Sequence, residues 1–349
     1  MLVELYAVQR GLSGMTIKTK GRTLVSGANG FIGSHLVEAL LKKGRNIRAL
    51  VRIGEKAKHL EKMQAEIVYG NLLNDTSIKN ALEGVDKVYH LAAVIPRLRR
   101  SSKDIYKINV LGTKSLLQEC IKSGVKKFIY FSSIAAVGPR NQPILIDEGS
   151  PYIPKDTYGE SKYEAEKLVL IFSTRYSLSS IIIRPPLFVY GPRDFGLLRL
   201  FQFMKKGRFY FISGMKEHLM SFCYVKNLIQ GTILAGEDKD VSNGEIFFLS
   251  DIRPYTIGEL VQTAADILKV RVSGIIIPKW VANMVRIFLE GLEAIRIPLP
   301  VSPNTIRIMT PYWLCNINKA KKQLGYLPQI DLREGLEETI RWYRDKGYL

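Results

Sequence analysis

The chain carries a glycine-punctuated stretch, Ser26-Gly27-Ala28-Asn29-Gly30-Phe31-Ile32-Gly33, between two apolar patterns of different period. Before it, Thr23-Leu24-Val25 reads as a strand. After it, Phe31 to Lys43 reads as an amphipathic helix, with Ile32, Leu36, Val37, Leu40 and Leu41 at helical spacing and Gly44 as its stop. Asn46 to Arg52 supplies a second strand and completes a β-α-β unit. A strand that feeds a helix through Gly27, Gly30 and Gly33 lets backbone N–H groups approach a phosphate at the helix N-terminus. The alternative is a tight turn without a ligand, because glycine motifs also occur that way.

Further strand and helix patterns alternate along the chain. Val85 to Ala93, Lys127 to Ser133 and Ser180 to Arg184 read as strands, and Thr113 to Ser123 as a helix. Such alternation predicts an α/β fold with a doubly wound parallel sheet, whose ligands bind at the C-terminal strand ends. Gly27 to Gly33, Ala92-Ala93, Ser132-Ser133 and Pro185-Pro186 all fall at such ends.

Two more stretches follow in fixed order: Phe131-Ser132-Ser133, then Tyr158-Gly159-Glu160-Ser161-Lys162. Tyr158 and Lys162 are four apart and share one face of a helix that starts near Thr157. A free phenol has a pKa near ~10, so ionising it near neutrality costs ~4 kcal/mol. A neighbouring ammonium can supply part of that. Tyr-x-x-x-Lys alone occurs by chance in many helices. Placed after the serine strand and before Arg184-Pro185, it points to proton transfer at a carbonyl or alcohol, coupled to hydride transfer.

On these pieces, with Tyr89-His90-Leu91-Ala92-Ala93, Asn109 to Thr113 and Tyr190-Gly191-Pro192-Arg193, the chain resembles the extended short-chain dehydrogenase/reductase family, the NAD-dependent epimerase/dehydratase superfamily. The resemblance covers nearly all of residues 22–349. It implies a Rossmann nucleotide domain (22–185 and 220–250) interleaved with a smaller substrate domain (186–219 and 251–349). It implies that Tyr158 passes the proton, Lys162 lowers the phenol pKa and holds the nicotinamide ribose, and Ser133, with Ser132 as fallback, bonds the substrate oxygen. Asn109 matches the family's relay Asn. The implied cofactor contacts are Gly27, Asn29, Gly30, Phe31, Ile32, Gly33, Arg52, Asn71, Leu72, Leu91, Ala92, Ala93, Pro185, Tyr158 and Lys162. The chain departs in having Ser26 for the usual Thr and Gly70-Asn71-Leu72 for Gly-Asp-Leu.

An acid at the end of the second strand would bond the 2′-hydroxyl of NAD, whereas an Arg would accommodate the 2′-phosphate of NADP. Arg52 stands there, with no acid before Glu55, so NADP(H) is favoured and NAD(H) is the alternative. Arg184-Pro185-Pro186 lacks the Asn of sugar-nucleotide epimerases, and Ile134-Ala135 after Ser133 lacks the acid pair of dehydratases. Ser132 to Pro139 and Tyr224-Val225-Lys226-Asn227 look more like the 3β-hydroxysteroid dehydrogenase and dihydroflavonol reductase branches. The implied reaction is reduction of a ketone, or oxidation of a secondary alcohol, on an apolar small molecule. A nucleotide-sugar epimerase with retained NAD and a non-enzymatic NADP sensor are the alternatives.

Three cysteines and four histidines sit far apart, which excludes metal-ligand spacing and suits a reducing, cytoplasmic compartment. The net charge of +19 fits an anionic substrate, a membrane surface, a proteome with a basic bias or, for most of these charges, solvated faces; no recognition motif supports nucleic acid. Arg97, Arg99 and Arg100 follow a strand end and border the substrate cleft by resemblance. Pro278 to Leu289 reads as a substrate-domain core helix, with an interfacial helix or lid as the alternative. Residues 1–21 form an extension, read as a disordered arm, a start upstream of Met15 or a small extra strand. A homodimer is implied by the family's helices after the fourth and fifth strands.

Overall fold

The computed structural model describes residues 21–95, 101–207, 210–212, 216–238, 241–271, 275–277, 281, 284, 287 and 311–349. The extension, the Arg97 to Arg100 loop and most of 278–289 lie outside these residues.

Seven strands form one parallel sheet: β1 (Arg22–Ser26), β2 (Ile47–Arg52), β3 (Glu66–Gly70), β4 (Val85–His90), β5 (Lys127–Phe131), β6 (Ser179–Arg184) and β7 (Glu245–Phe248). Their spatial order is β7-β6-β5-β4-β1-β2-β3. The order reverses next to β1, so a crevice opens between the ends of β1 and β4, the position where such sheets bind ligands.

Period-2 patterning divides the core between the two sheet faces. Val25, Ile129, Phe131, Ile181 and Ile183 point to one side, with α1 (Phe31–Lys42) and α8 (Val225–Glu237). Leu24, Val88, Phe128, Tyr130 and Ile182 point to the other, with Leu116, Leu117 and Cys120 of α5 (Gly112–Lys122) and Ala165 and Val169 of α6 (Thr157–Tyr176). Both faces are covered, which is why these strands read as continuous apolar runs. Short helices α2 (Lys58–Lys62), α3 (Asp75–Ala81) and α4 (Ser102–Tyr106) fill the connections.

The remaining elements lie outside the sheet. They are α7 (Leu198–Lys205), α9 (Ile257–Leu268), α10 (Asn318–Leu324) and α11 (Leu332–Asp345), with several two-stranded pairs. α9 begins with a reciprocal cap in which Thr256 accepts from Glu259 N and Glu259 accepts from Thr256 N. α11 buries Leu332, Leu336 and Ile340 at fourfold spacing, beside Tyr343.

Two expected strands end earlier than their apolar runs. β4 stops at His90 and β5 at Phe131. Leu91, Ala92, Ala93, Ser132 and Ser133 therefore lie in the loops above the sheet, where side chains and backbone can turn toward a ligand.

Candidate active site

The glycine turn is shaped by close approach. Gly27 has φ 70°, and a Cβ there would lie 2.7 Å from Ala92 N. A Cβ on Gly33 would lie 2.1 Å from Gly27 O. Neither position has room for a side chain, so the turn, the first turn of α1 and the end of β4 pack backbone to backbone. Gly30 is the N-cap of α1 and offers no side-chain cap, and no acid occupies the first turn. The N–H groups around Phe31, Ile32 and Gly33, which a helix start leaves without intrahelical partners, face the crevice with the positive end of the helix dipole.

Asn71 turns its side chain back onto Leu73 N at 3.0 Å, and Leu72 is buried against Gly112. Leu91 N donates to Ser26 O at 3.1 Å, which holds the β4 end against the glycine turn.

The reacting groups meet above β5. Ser132 N donates to Ile183 O at 2.8 Å and Ile134 N donates to Pro185 O at 2.9 Å. These bonds carry the β5–β6 pairing past the strand ends and fix Ser133 between them. Ser133 Oγ accepts from Ala135 N at 3.1 Å and starts a short 3₁₀ turn. α6 starts at Thr157, capped by Asp156, whose carboxylate accepts from Gly159 N at 2.8 Å. It runs so close to the turn that a Cβ on Gly159 would lie 2.4 Å from Ala135 O. Gly159 thus lets Tyr158 reach Ser133.

Lys162 Nζ donates to Phe131 O at 2.7 Å and lies 5.9 Å from the centre of the Tyr158 ring. Burial pushes its ammonium down to about 7, and the Glu166 carboxylate partly offsets this. The Tyr158 phenol is pushed up to about 12 by burial, against the hydrogen bond from Ser133 that lowers it. Desolvation is the largest influence on the phenol, and the same burial leaves the neighbouring lysine holding its own charge poorly.

Behind Lys162 lies an ion pair that the motifs do not announce. Glu166, one turn further along α6, accepts from Arg184 Nε at 2.9 Å and Nη2 at 2.6 Å. The two side chains are 1% and 0% exposed. Tyr152 donates to Glu166 Oε2 at 3.2 Å. A hint was present: an Arg ending the run Ile181-Ile182-Ile183 needs a buried acid, and Glu166 stands four after Lys162.

Asn109 occupies a π-helical turn, Lys107–Leu111, between α4 and α5. Its side chain accepts from Val94 N at 2.7 Å and donates to Val94 O and to Ser161 Oγ, both at 3.0 Å. It clasps the loop after β4 to α6; its carbonyl accepts from Thr113 Oγ1 at 2.6 Å. His90 extends the same network: its ring bonds Ser26 Oγ at 2.6 Å and Thr113 Oγ1 at 2.9 Å. Burial pushes His90 down to about 3, so it serves as a neutral strut between the glycine turn and the π turn.

Arg52 projects from the end of β2 and pairs with Glu55 at 2.9 Å. Asn29, in the glycine turn, donates to the other oxygen of that carboxylate at 3.1 Å. Among the described residues, Asn29 Oδ1 and Ser132 Oγ are buried without a hydrogen-bond partner. The side-chain-free cradle, the open helix start and these two orphaned oxygens fit a dinucleotide lying from β2 to β5. No cluster of potential metal ligands occurs among the described residues.

The comparisons agree with this geometry. The model of the 3-beta hydroxysteroid dehydrogenase/isomerase family matches residues 24–276. A 3-beta-hydroxysteroid dehydrogenase of Mycolicibacterium neoaurum is 30% identical over 95% of this chain and 93% of its own. A decarboxylating sterol-4-alpha-carboxylate 3-dehydrogenase of Mus musculus is 29% identical over 93% and 91%. Among solved structures, that of gox2253 superposes with a TM-score of 0.80, 28% identity and 94% and 99% coverage. The UDP-glucose 4-epimerase of Thermotoga maritima, at a TM-score of 0.76, 24% identity and 93% and 99% coverage, shares the fold. With a parallel sheet, a dinucleotide cradle and a Ser-Tyr-Lys cluster at its strand ends, the chain belongs to the 3-beta hydroxysteroid dehydrogenase/isomerase family and is an NAD(P)-dependent oxidoreductase.

Proposed function

We propose that the chain interconverts a ketone and a secondary alcohol on a steroid- or sterol-like molecule, with NADP(H) as the preferred dinucleotide. The observation that carries this reading is the meeting of Ser133, Tyr158 and Lys162 above β5, beside the glycine cradle. The names of the curated relatives support the substrate class, and Arg52 at the β2 end supports NADP(H).

The dinucleotide, when bound, supplies or accepts the hydride. Gly27, Gly30 and Gly33 would hold its pyrophosphate at the α1 start, and Arg52 would meet the adenosine ribose. In reduction, Tyr158 gives its proton to the substrate oxygen. A phenol pushed up to about 12 is fully protonated near neutrality, which suits that task. Ser133 donates to the same oxygen and holds it in place. Lys162 binds the nicotinamide ribose and stabilises the phenolate that Tyr158 leaves behind. In oxidation Tyr158 must first lose its proton, so this direction depends more strongly on positive charge nearby.

Three features support further parts of the proposal. Leu111 and Ile171, beside α5 and on α6, are exposed apolar side chains that suit a homodimer face. Met284 and Ile287 are exposed at helical spacing, and with the positive net charge they suit a peripheral membrane contact. The three described cysteines are free and buried, which suits a reducing cytoplasm.

Purified protein incubated with NADPH and a panel of 3-keto steroids and smaller apolar ketones tests the reading. Consumption of NADPH that disappears in Tyr158→Phe is expected. Tightly retained NAD, with interconversion of UDP-sugars and no net redox change, would overturn it.

A further inference from the structure

The turn after β2 places an acid against the residue that distinguishes the two dinucleotides. Arg52, Ile53, Gly54 and Glu55 form a turn closed by Glu55 N donating to Arg52 O at 3.1 Å. Gly54, its third residue, has φ 86°, the conformation that a type II turn reserves for glycine. The turn brings Glu55 back beside Arg52, and the two carboxylate oxygens are divided: Oε1 to Arg52 Nη2 at 2.9 Å, Oε2 to Asn29 Nδ2 at 3.1 Å. The carboxylate thus bridges the end of β2 and the glycine turn, the two features that flank the adenosine ribose in this fold.

A carboxylate here has two available roles. It can accept from ribose hydroxyls, as an acid at the strand end does in NAD-binding proteins. It can instead occupy Arg52, so that a 2′-phosphate must displace it to reach the guanidinium. The geometry points to the second, because both oxygens are already committed and one of them neutralises the guanidinium. We infer that Glu55 is a selectivity residue that competes with the 2′-phosphate of NADP(H) for Arg52 and holds the preference for NADP(H) below what Arg52 alone would give. This rests on the reading that Arg52 receives that phosphate.

The competition is mild. Arg52 is 61% and Glu55 35% exposed, so water and salt screen their attraction. A phosphate, with more charge and more acceptor oxygens than a carboxylate, displaces Glu55 at a modest loss of affinity.

Fluorescence titration of the full chain with NADPH and with NADH, in wild type, Glu55→Gln, Arg52→Gln and the double variant, tests this without any substrate. Glu55→Gln keeps an acceptor for Asn29 and lies in an exposed turn, and a melting curve shows whether it folds as the wild type does. The expected result is NADPH binding tightened by about threefold to tenfold in Glu55→Gln, with NADH changed by less than about twofold. The gain should vanish when Arg52 is also Gln. If Arg52→Gln weakens NADPH while Glu55→Gln leaves it unchanged, the inference fails and the NADP(H) reading survives. If Glu55→Gln weakens NADH, the acid holds the ribose and the inference is overturned. If wild type shows no preference for NADPH and Arg52→Gln changes neither titration, the NADP(H) reading itself has failed and the inference falls with it.

Discussion

At the reacting end of the site, Lys162 donates to Phe131 O and leans on a Glu166–Arg184 pair that water does not reach. At the adenosine end, Arg52 and Glu55 pair in the open, and Asn29 ties the carboxylate to the glycine turn. Low dielectric makes the first set of interactions strong and intolerant of loss. Screening makes the second weak and adjustable. One end therefore holds Tyr158 and Lys162 in a single geometry, and the other leaves its charges open to change at one or two surface side chains.

The contrast breaks most directly at Tyr158. Tyr158→Phe should lower kcat by about 10²- to 10⁴-fold while leaving NADPH titration nearly unchanged. Retained activity would show that another group moves the proton. Arg184→Met should cost about 3–5 kcal/mol in denaturant unfolding, because it strands the Glu166 carboxylate in the core. A loss under about 1 kcal/mol would place that end among the adjustable ones. Gly159→Ala should lose about 1–3 kcal/mol and drop kcat, since the added methyl meets Ala135 O and lifts Tyr158 from Ser133. Arg52→Gln should weaken NADPH about tenfold and leave the melting temperature within about a degree or two, as a screened surface charge should.

The smallest effect is one of pH. Lys162 is held at about 7 in the folded chain, below its ordinary value of 10.5. Between these values the unfolded chain keeps a proton that the folded chain has released. Stability from this group therefore rises as pH climbs from about 7 toward 10.5, and its penalty is complete below about 7. Lys162→Met should flatten that rise in a series of urea titrations. An unchanged pH profile would mean that Lys162 is solvated enough to keep an ordinary pKa.

The two ends were unequally legible. Gly27 to Gly33, the serine pair and Tyr158 to Lys162 are local signals, because each needs particular residue types at short spacing. Their order along alternating strands and helices implied the doubly wound sheet. Glu66–Gly70 was missed as a strand, although it pairs with β2 along its length; its half-exposed face lacks the apolar run that marked the others. Asn109 and Lys162 stood out by resemblance, but what they touch did not. Asn109 clasps Val94 and Ser161 through a π turn, and Lys162 bonds a carbonyl at the end of β5. Gly159 lies within the Tyr158 to Lys162 stretch, and the pattern itself supplies no reason for it. A glycine inside the first turn of a helix costs about 1 kcal/mol, which hints that something passes close by.

By itself, the sequence determined the sheet's class and singled out the glycine turn and the candidate side chains Ser133, Tyr158 and Lys162, since these follow from periodicity and from residue chemistry within a few positions. Tertiary structure alone decided which charges are buried together and which remain in water. It paired Glu166 with Arg184, turned Glu55 onto Arg52 and pushed Lys162 and Tyr158 in opposite directions. Those outcomes depend on desolvation and on contacts between residues far apart in the chain, and a linear pattern carries neither.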